Sequence, residues 1–223
     1  MKNVSVLLLL LTCSLGFSQV KKELGDFDTV KVFDRISVQL LQSSENKIEI
    51  NGNRADEVEV LNKNGDLIVR MPLKKLLDGE EITAKLYFKT LESIDASEGS
   101  YVIGDETLRQ TYIRVNAKEG AEIRLKIAVD KADLRAVTGG ILKITGSATN
   151  QDIAVGTGGI VRANDLSTKQ TKVTITTGGE ADVRATDLVD AKVRAGGTVT
   201  IFGKPRQINK KIRLGGSIDE NQL

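Results

Sequence analysis

The chain has 223 residues, enough for one domain with a real core, and 32 Lys plus Arg against 30 Asp plus Glu leave no global field to steer nucleic acid or acidic membranes. It has no histidine, which removes the commonest general acid/base and the commonest transition-metal ligand. With 4% aromatics and no tryptophan, its 40% hydrophobic residues must fill a core with Val, Ile, Leu, Ala and Thr, side chains that suit strands.

Residues 1–18 have the grammar of an export signal: Lys2, an apolar run from Val6 to Leu11, then small residues before Gln19. The run is too short to span a bilayer. Cleavage after Ser18 removes Cys13, the single cysteine, and with it disulfide and thiol chemistry. The alternative is lipidation of Cys13, since L-L-T-C is similar to a lipobox. Either way the protein is expected to be exported, to the periplasm, the outer membrane or the exterior.

Segment 19–90 alternates without a regular glycine beat, over Phe27 to Leu40, Lys47 to Asn51, Val58 to Leu61, Leu67 to Met71 and Ile82 to Phe88. Asn64-Gly65 signals a tight turn, and Pro72 to Gly79 a short helical turn. This N-terminal β region is expected to cap the remainder of the chain, because an uncovered end offers an unpaired edge.

From residue 91 to 223 the chain is counted out by glycine. Gly-Gly stands at Gly139-Gly140, Gly158-Gly159, Gly178-Gly179, Gly196-Gly197 and Gly215-Gly216, at steps of 19, 20, 18 and 19. Around each pair, apolar residues fall at every second position, as in Leu134, Ala136, Thr138 and then Leu142, Ile144. A period of two means strands, so each repeat is two short strands joined by a glycine corner. Thr138, Thr157 and Thr177 fall in register as an expected buried hydroxyl ladder. A second corner is expected at Ala163 to Leu166 and Ala185 to Leu188, where Asn and Asp can bond their own backbone.

A-S-E-G-S-Y-V and A-K-E-G-A-E-I extend the repeat upstream, with Gly99 and Gly120 set against the second glycine of the later pairs. Glycine corners then mark about seven rungs, about 34 Å at roughly 4.8 Å per layer. One rung cannot bury its own apolar face, so the expected fold is all-β: a single-stranded parallel β-helix or solenoid, right-handed by the usual crossover preference.

The opening F-D-T-V-K-V-F-D-R-I-S-V-Q-L, the phrase N-G-D-L-I-V and the S-E-G-S and T-G-G rungs together resemble the family described as "putative auto-transporter adhesin, head GIN domain", over residues 27–217. The resemblance implies a secreted or envelope-associated β-helical protein, and it carries over no catalytic residues.

Chemistry is sparse. The glycine pairs sit amid strand alternation rather than before a helix, which argues against phosphate loops. They also lack the G-G-x-G-x-D turns of calcium-binding β-rolls, so Asp165 and Asp187 read as turn residues that at most hold a scattered ion. No cofactor is expected. Glu180 and Asp182, two apart on one strand at roughly 7 Å, are the pair a glycan-cleaving enzyme would need. No second wall of a cleft accompanies them.

The one local charge asymmetry runs from Ala191 to Ile218, with Lys192, Arg194, Lys204, Arg206, Lys210, Lys211 and Arg213 and no acid. It offers a candidate anion-binding site for acidic polysaccharide or lipopolysaccharide. The competing reading is that lysines on terminal rungs discourage edge-to-edge aggregation. The expected function is therefore a non-enzymatic adhesion or interaction protein. An anionic-glycan binding module is the alternative, and a carbohydrate-active enzyme ranks third. Expected partners are protein or glycan at the cell envelope, with no nucleic acid and no transmembrane span; self-association through solenoid ends stays open.

Overall fold

The computed structural model describes residues 19–221. The segment expected to be an export signal, Cys13 included, lies outside them. The described chain forms 16 strands in one continuous, wound sheet, with no α-helix among the described residues.

Strands β1 (Gln19–Glu23), β2 (Thr29–Val32), β3 (Ser37–Gln42), β4 (Lys47–Asn51), β5 (Glu59–Lys63), β6 (Asp66–Arg70), β7 (Thr83–Phe88) and β8 (Ser93–Ala96) lead into five long strands. These are β9 (Tyr101–Ala117), β10 (Glu122–Val137), β11 (Ile141–Gly156), β12 (Ile160–Ile175) and β13 (Glu180–Ala195), with β14 (Thr198–Phe202), β15 (Gln207–Leu214) and β16 (Ser217–Asn221) after them. Each long strand runs from one glycine corner to the next and pairs in parallel with its neighbours, making the expected β-solenoid. Apolar side chains stack by column in its interior: Val115, Leu134, Ile153, Val173 and Ala191 are successive register partners, and all are buried. Stacking of this kind is what buries a face that a single rung leaves open.

The corners sit one residue away from the expected match. Glu122 pairs with Ile141 and with Tyr101, so Gly99 and Gly120 align with the first glycine of the pairs, Gly139, and not with Gly140. In the first four corners the left-handed pair is Glu98-Gly99, Glu119-Gly120, Thr138-Gly139 and Thr157-Gly158; in the last three it is the two glycines themselves. Thr138 and Thr157 thus occupy the turn at φ 50° and 46° and are exposed, as is Thr177. The expected buried hydroxyl ladder is absent because these residues leave the strand alternation at the corner. Where the second glycine has ordinary φ, it is required by space: a Cβ on Gly159 would lie 2.1 Å from the Ala136 carbonyl oxygen.

Buried hydroxyls occur elsewhere. Gln151 Nε2 donates to Thr171 Oγ1 at 2.8 Å, Thr171 and Thr168 share a hydroxyl bond at 2.8 Å, and Thr168 Oγ1 lies 2.7 Å from the Arg184 carbonyl oxygen. The second bend lies within the long strands as a register irregularity, between Ala163 and Thr168 on β12. Arg184 Nε donates to the Asn164 carbonyl there, at 2.6 Å.

Segment 19–90 both caps the solenoid and supplies rungs. β2 and β3 pair in parallel with β8 and β9, so Asp34-Arg35 is a corner without glycine, at φ 59° and 61°, stacked on Glu98-Gly99. Asp34 is 1% exposed, and its carboxylate accepts the backbone N–H groups of Met71 and Leu77, both at 2.9 Å. β6 and β7 lie on the outer side of β2 and β3, out of sequence order, and antiparallel β5, β4 and β1 close the end. Asn64 and Gly65 make the expected tight turn between β5 and β6, both with positive φ, and Leu73–Lys75 form a single 3-10 turn.

Candidate functional site

Three outward positions of each rung lie two, four and six residues before the first glycine of its corner. They face the same way because strand side chains alternate. On β13 these are Arg194, Lys192 and Asp190, and on β15 they are Arg213, Lys211 and Asn209. Asp190 pairs with Asn209, Lys192 with Lys211 and Val193 with Ile212, which sets Arg194 beside Arg213. Four of the seven expected anion-binding residues therefore converge, lining a concavity of about 240 Å³.

The other three stand apart. Lys204 and Arg206 lie in the turn between β14 and β15, with Arg206 3.9 Å from Asp187. Lys210 occupies an inward column as the register partner of Ala191. Its ammonium crosses the open end of the core to Glu220, at 2.7 Å, and to the Ile218 carbonyl, at 3.3 Å. An inward charge on a terminal strand discourages further stacking, so Lys210 fits the anti-aggregation reading. Ile212 and Leu214 beside it remain 46% and 76% exposed.

The same three positions on earlier rungs hold cations that the composition of the last rungs does not reveal. They are Arg114 and Lys118 on the β9 rung, Arg135 on β10 and Lys172 on β12. All four line a larger concavity of about 790 Å³. Its floor includes Ala154, the outward residue of β11 between Arg135 and Thr174.

Carboxylates on this face are already engaged. Lys131 Nζ lies 3.3 Å from both Asp133 and Asp152, and its hydrogen bonds to Asp152 first and Asp133 second, then their charges, raise its pKa. Burial, then the bond to Asp133 at 2.7 Å, raises the Tyr112 phenol pKa. Asp95 accepts from Asn116 at 2.6 Å, and Asp190 pairs with Lys192 at 2.8 Å.

The acid pair that an enzyme would need is on another face and is neutralised. Arg162 reaches Glu180 at 2.5 Å and Asp182 at 2.9 Å. Burial opposes the guanidinium charge, but the two carboxylates outweigh it and raise the Arg162 pKa. A general acid must be held protonated, and a paired guanidinium favours the opposite state. Asp187 accepts from the Thr186 hydroxyl at 3.3 Å. Among the described residues no group of three or more acids is placed to hold a metal ion, and no helix is long and apolar enough to cross a membrane.

A family model described as "Putative auto-transporter adhesin, head GIN domain" matches residues 26–205. A crystal structure of a "putative adhesin" from Bacteroides fragilis has a TM-score of 0.86 at 18% identity, covering 93% of this chain and 98% of that one. A "putative adhesin" from Parabacteroides distasonis gives 0.70 at 20% identity over 92% and 97%. A "Putative lipid binding protein" from the same species gives 0.71 at 16% identity over 94% and 98%. These likenesses show the fold alone. No curated protein is significantly similar.

Proposed function

The chain belongs to the family described as "putative auto-transporter adhesin, head GIN domain", and we propose that it is an exported, non-enzymatic adhesion protein of the cell envelope that grips anionic polysaccharide through its last rungs. The observation that carries this is the register of β13 and β15. It sets Lys192 beside Lys211 and Arg194 beside Arg213, while Arg194, Lys211 and Arg213 have no carboxylate partner among the described residues. Like charges held side by side in a sheet are destabilising on their own, and a bound polyanion offsets that cost.

Catalysis has no comparable support. Glu180 and Asp182 are bound to Arg162, the chain has no histidine, and among the described residues no group of three or more acids is placed to hold a metal ion. Incubating the purified protein with heparin and with uronate polymers tests the reading. Binding with the polymer length unchanged supports it, and shortening of the polymer would establish the enzyme instead.

A further inference from the structure

We infer that the anion site is a continuous track along the solenoid, holding a linear polyanionic polysaccharide parallel to its axis; the inference rests on the proposed function and extends it to the earlier rungs. Offsets of two, four and six from each corner define one face from β9 to β15. Along it, Arg114, Lys118, Arg135, Lys172, Arg194, Lys211 and Arg213 form no ion pair within 4 Å among the described residues, although the register sets Arg114 beside Asp133 and Lys172 between Asp152 and Asp190. The acids on the same face are fewer than the cations: Asp95, bonded to the neutral Asn116 amide, Asp133 and Asp152, which share Lys131, and Asp190, paired with Lys192. The net field there is cationic even though the chain as a whole is nearly neutral.

The rung without a cation explains the shape. On β11 the outward positions are Asp152, Ala154 and Gly156; the short Ala154 leaves a trough of about 790 Å³, lined also by Asp152, with Arg135 and Lys172 on either side. A polymer backbone can lie against that floor while its charged groups meet the cations on the flanks. Five rung steps separate β9 from β15, about 24 Å at roughly 4.8 Å per step. Cations repeated at the rung spacing suit a ligand that carries its own charge repeat.

The test compares long heparin chains, a heparin tetrasaccharide and vesicles bearing lipopolysaccharide, against wild type and three variants at exposed outward positions. The variants are Arg135→Ala/Lys172→Ala, Lys211→Ala/Arg213→Ala and Ala154→Trp, with thermal unfolding as the control for folding. The inference expects each charge pair to weaken long heparin about tenfold. Ala154→Trp weakens it comparably with every charge in place, and the tetrasaccharide binds far more weakly than the long chain.

If only Lys211→Ala/Arg213→Ala weakens long heparin, the track is overturned while the terminal site stands. Tight binding to lipopolysaccharide vesicles without binding to soluble heparin would identify lipid phosphate as the ligand and would also overturn the track. A wild type that binds neither defeats both the track and the proposed function.

Discussion

Lys211 of β15 stands in register beside Lys192 of β13, with Arg213 beside Arg194 one step further along. Two aligned pairs of cations on adjacent strands are a local conflict in an otherwise consistent fold, of the kind that marks a binding surface. Lys211→Glu should remove one of these conflicts by placing a carboxylate next to Lys192. Urea denaturation at low salt should then show a gain of about 0.2–1 kcal/mol. Heparin affinity should fall in the same variant. A loss of stability together with unchanged affinity would contradict the role given to this pair.

The buried bond from Gln151 to Thr171 gives a second prediction. Thr171→Val removes the acceptor of the Gln151 amide while leaving that amide buried, and should cost about 1–3 kcal/mol in denaturant unfolding. The double variant Gln151→Met/Thr171→Val removes both partners and should recover much of the loss. Equal destabilisation in the single and double variants would show that the pair acts through shape alone.

Glu98, in the first glycine corner, has its pKa raised by burial first, then by the charges of Asp34 and Glu119. Its folded pKa therefore lies above its unfolded one, and the folded state holds the proton more tightly. The penalty for ionising Glu98 is fully present at neutral pH and is relieved as pH falls through the folded pKa toward the unfolded value. Glu98→Gln should accordingly be more stable than wild type near pH 7, with the difference shrinking on acidification. A difference that grows on acidification would reverse the assignment.

The two glycines of one corner should respond differently to alanine. Gly158 has φ +71° and open space around it, so Gly158→Ala should cost about 1–2 kcal/mol of backbone strain. Gly159→Ala drives its Cβ against the Ala136 carbonyl of the neighbouring rung and should cost about 3 kcal/mol or more. Thermal unfolding of the two variants checks the order, and a reversed order would mean the corners pack differently.

The solenoid was legible in the sequence because its two signals are local: glycine where a corner demands it, and alternation between corners. The Thr-Gly-Gly phrase misleads by one step, because Thr138 continues the inward parity of Leu134 and Ala136 while its φ already belongs to the turn. Aligning Gly120 with Gly140 carries a similar cost, since a one-residue slip flips every side chain to the other face. With Gly120 on Gly139, Arg114 and Lys118 join the face that carries Arg135 and Lys172; without that register they read as scattered surface charge.

The Asp34-Arg35 corner has no glycine to announce it, and depends on a carboxylate bonded to N–H groups some 40 residues later in the chain. The outer position of β6 and β7 was likewise hidden, because parallel and antiparallel neighbours impose the same alternation.

The most direct measurement is the salt dependence of long-heparin binding by the wild-type protein. If seven unpaired cations engage the chain together, log K should fall with log salt at a slope on the order of −5, at about −0.7 per cation as for single-stranded nucleic acid. A slope near zero, or the absence of binding at low salt, would contradict a cationic polysaccharide face.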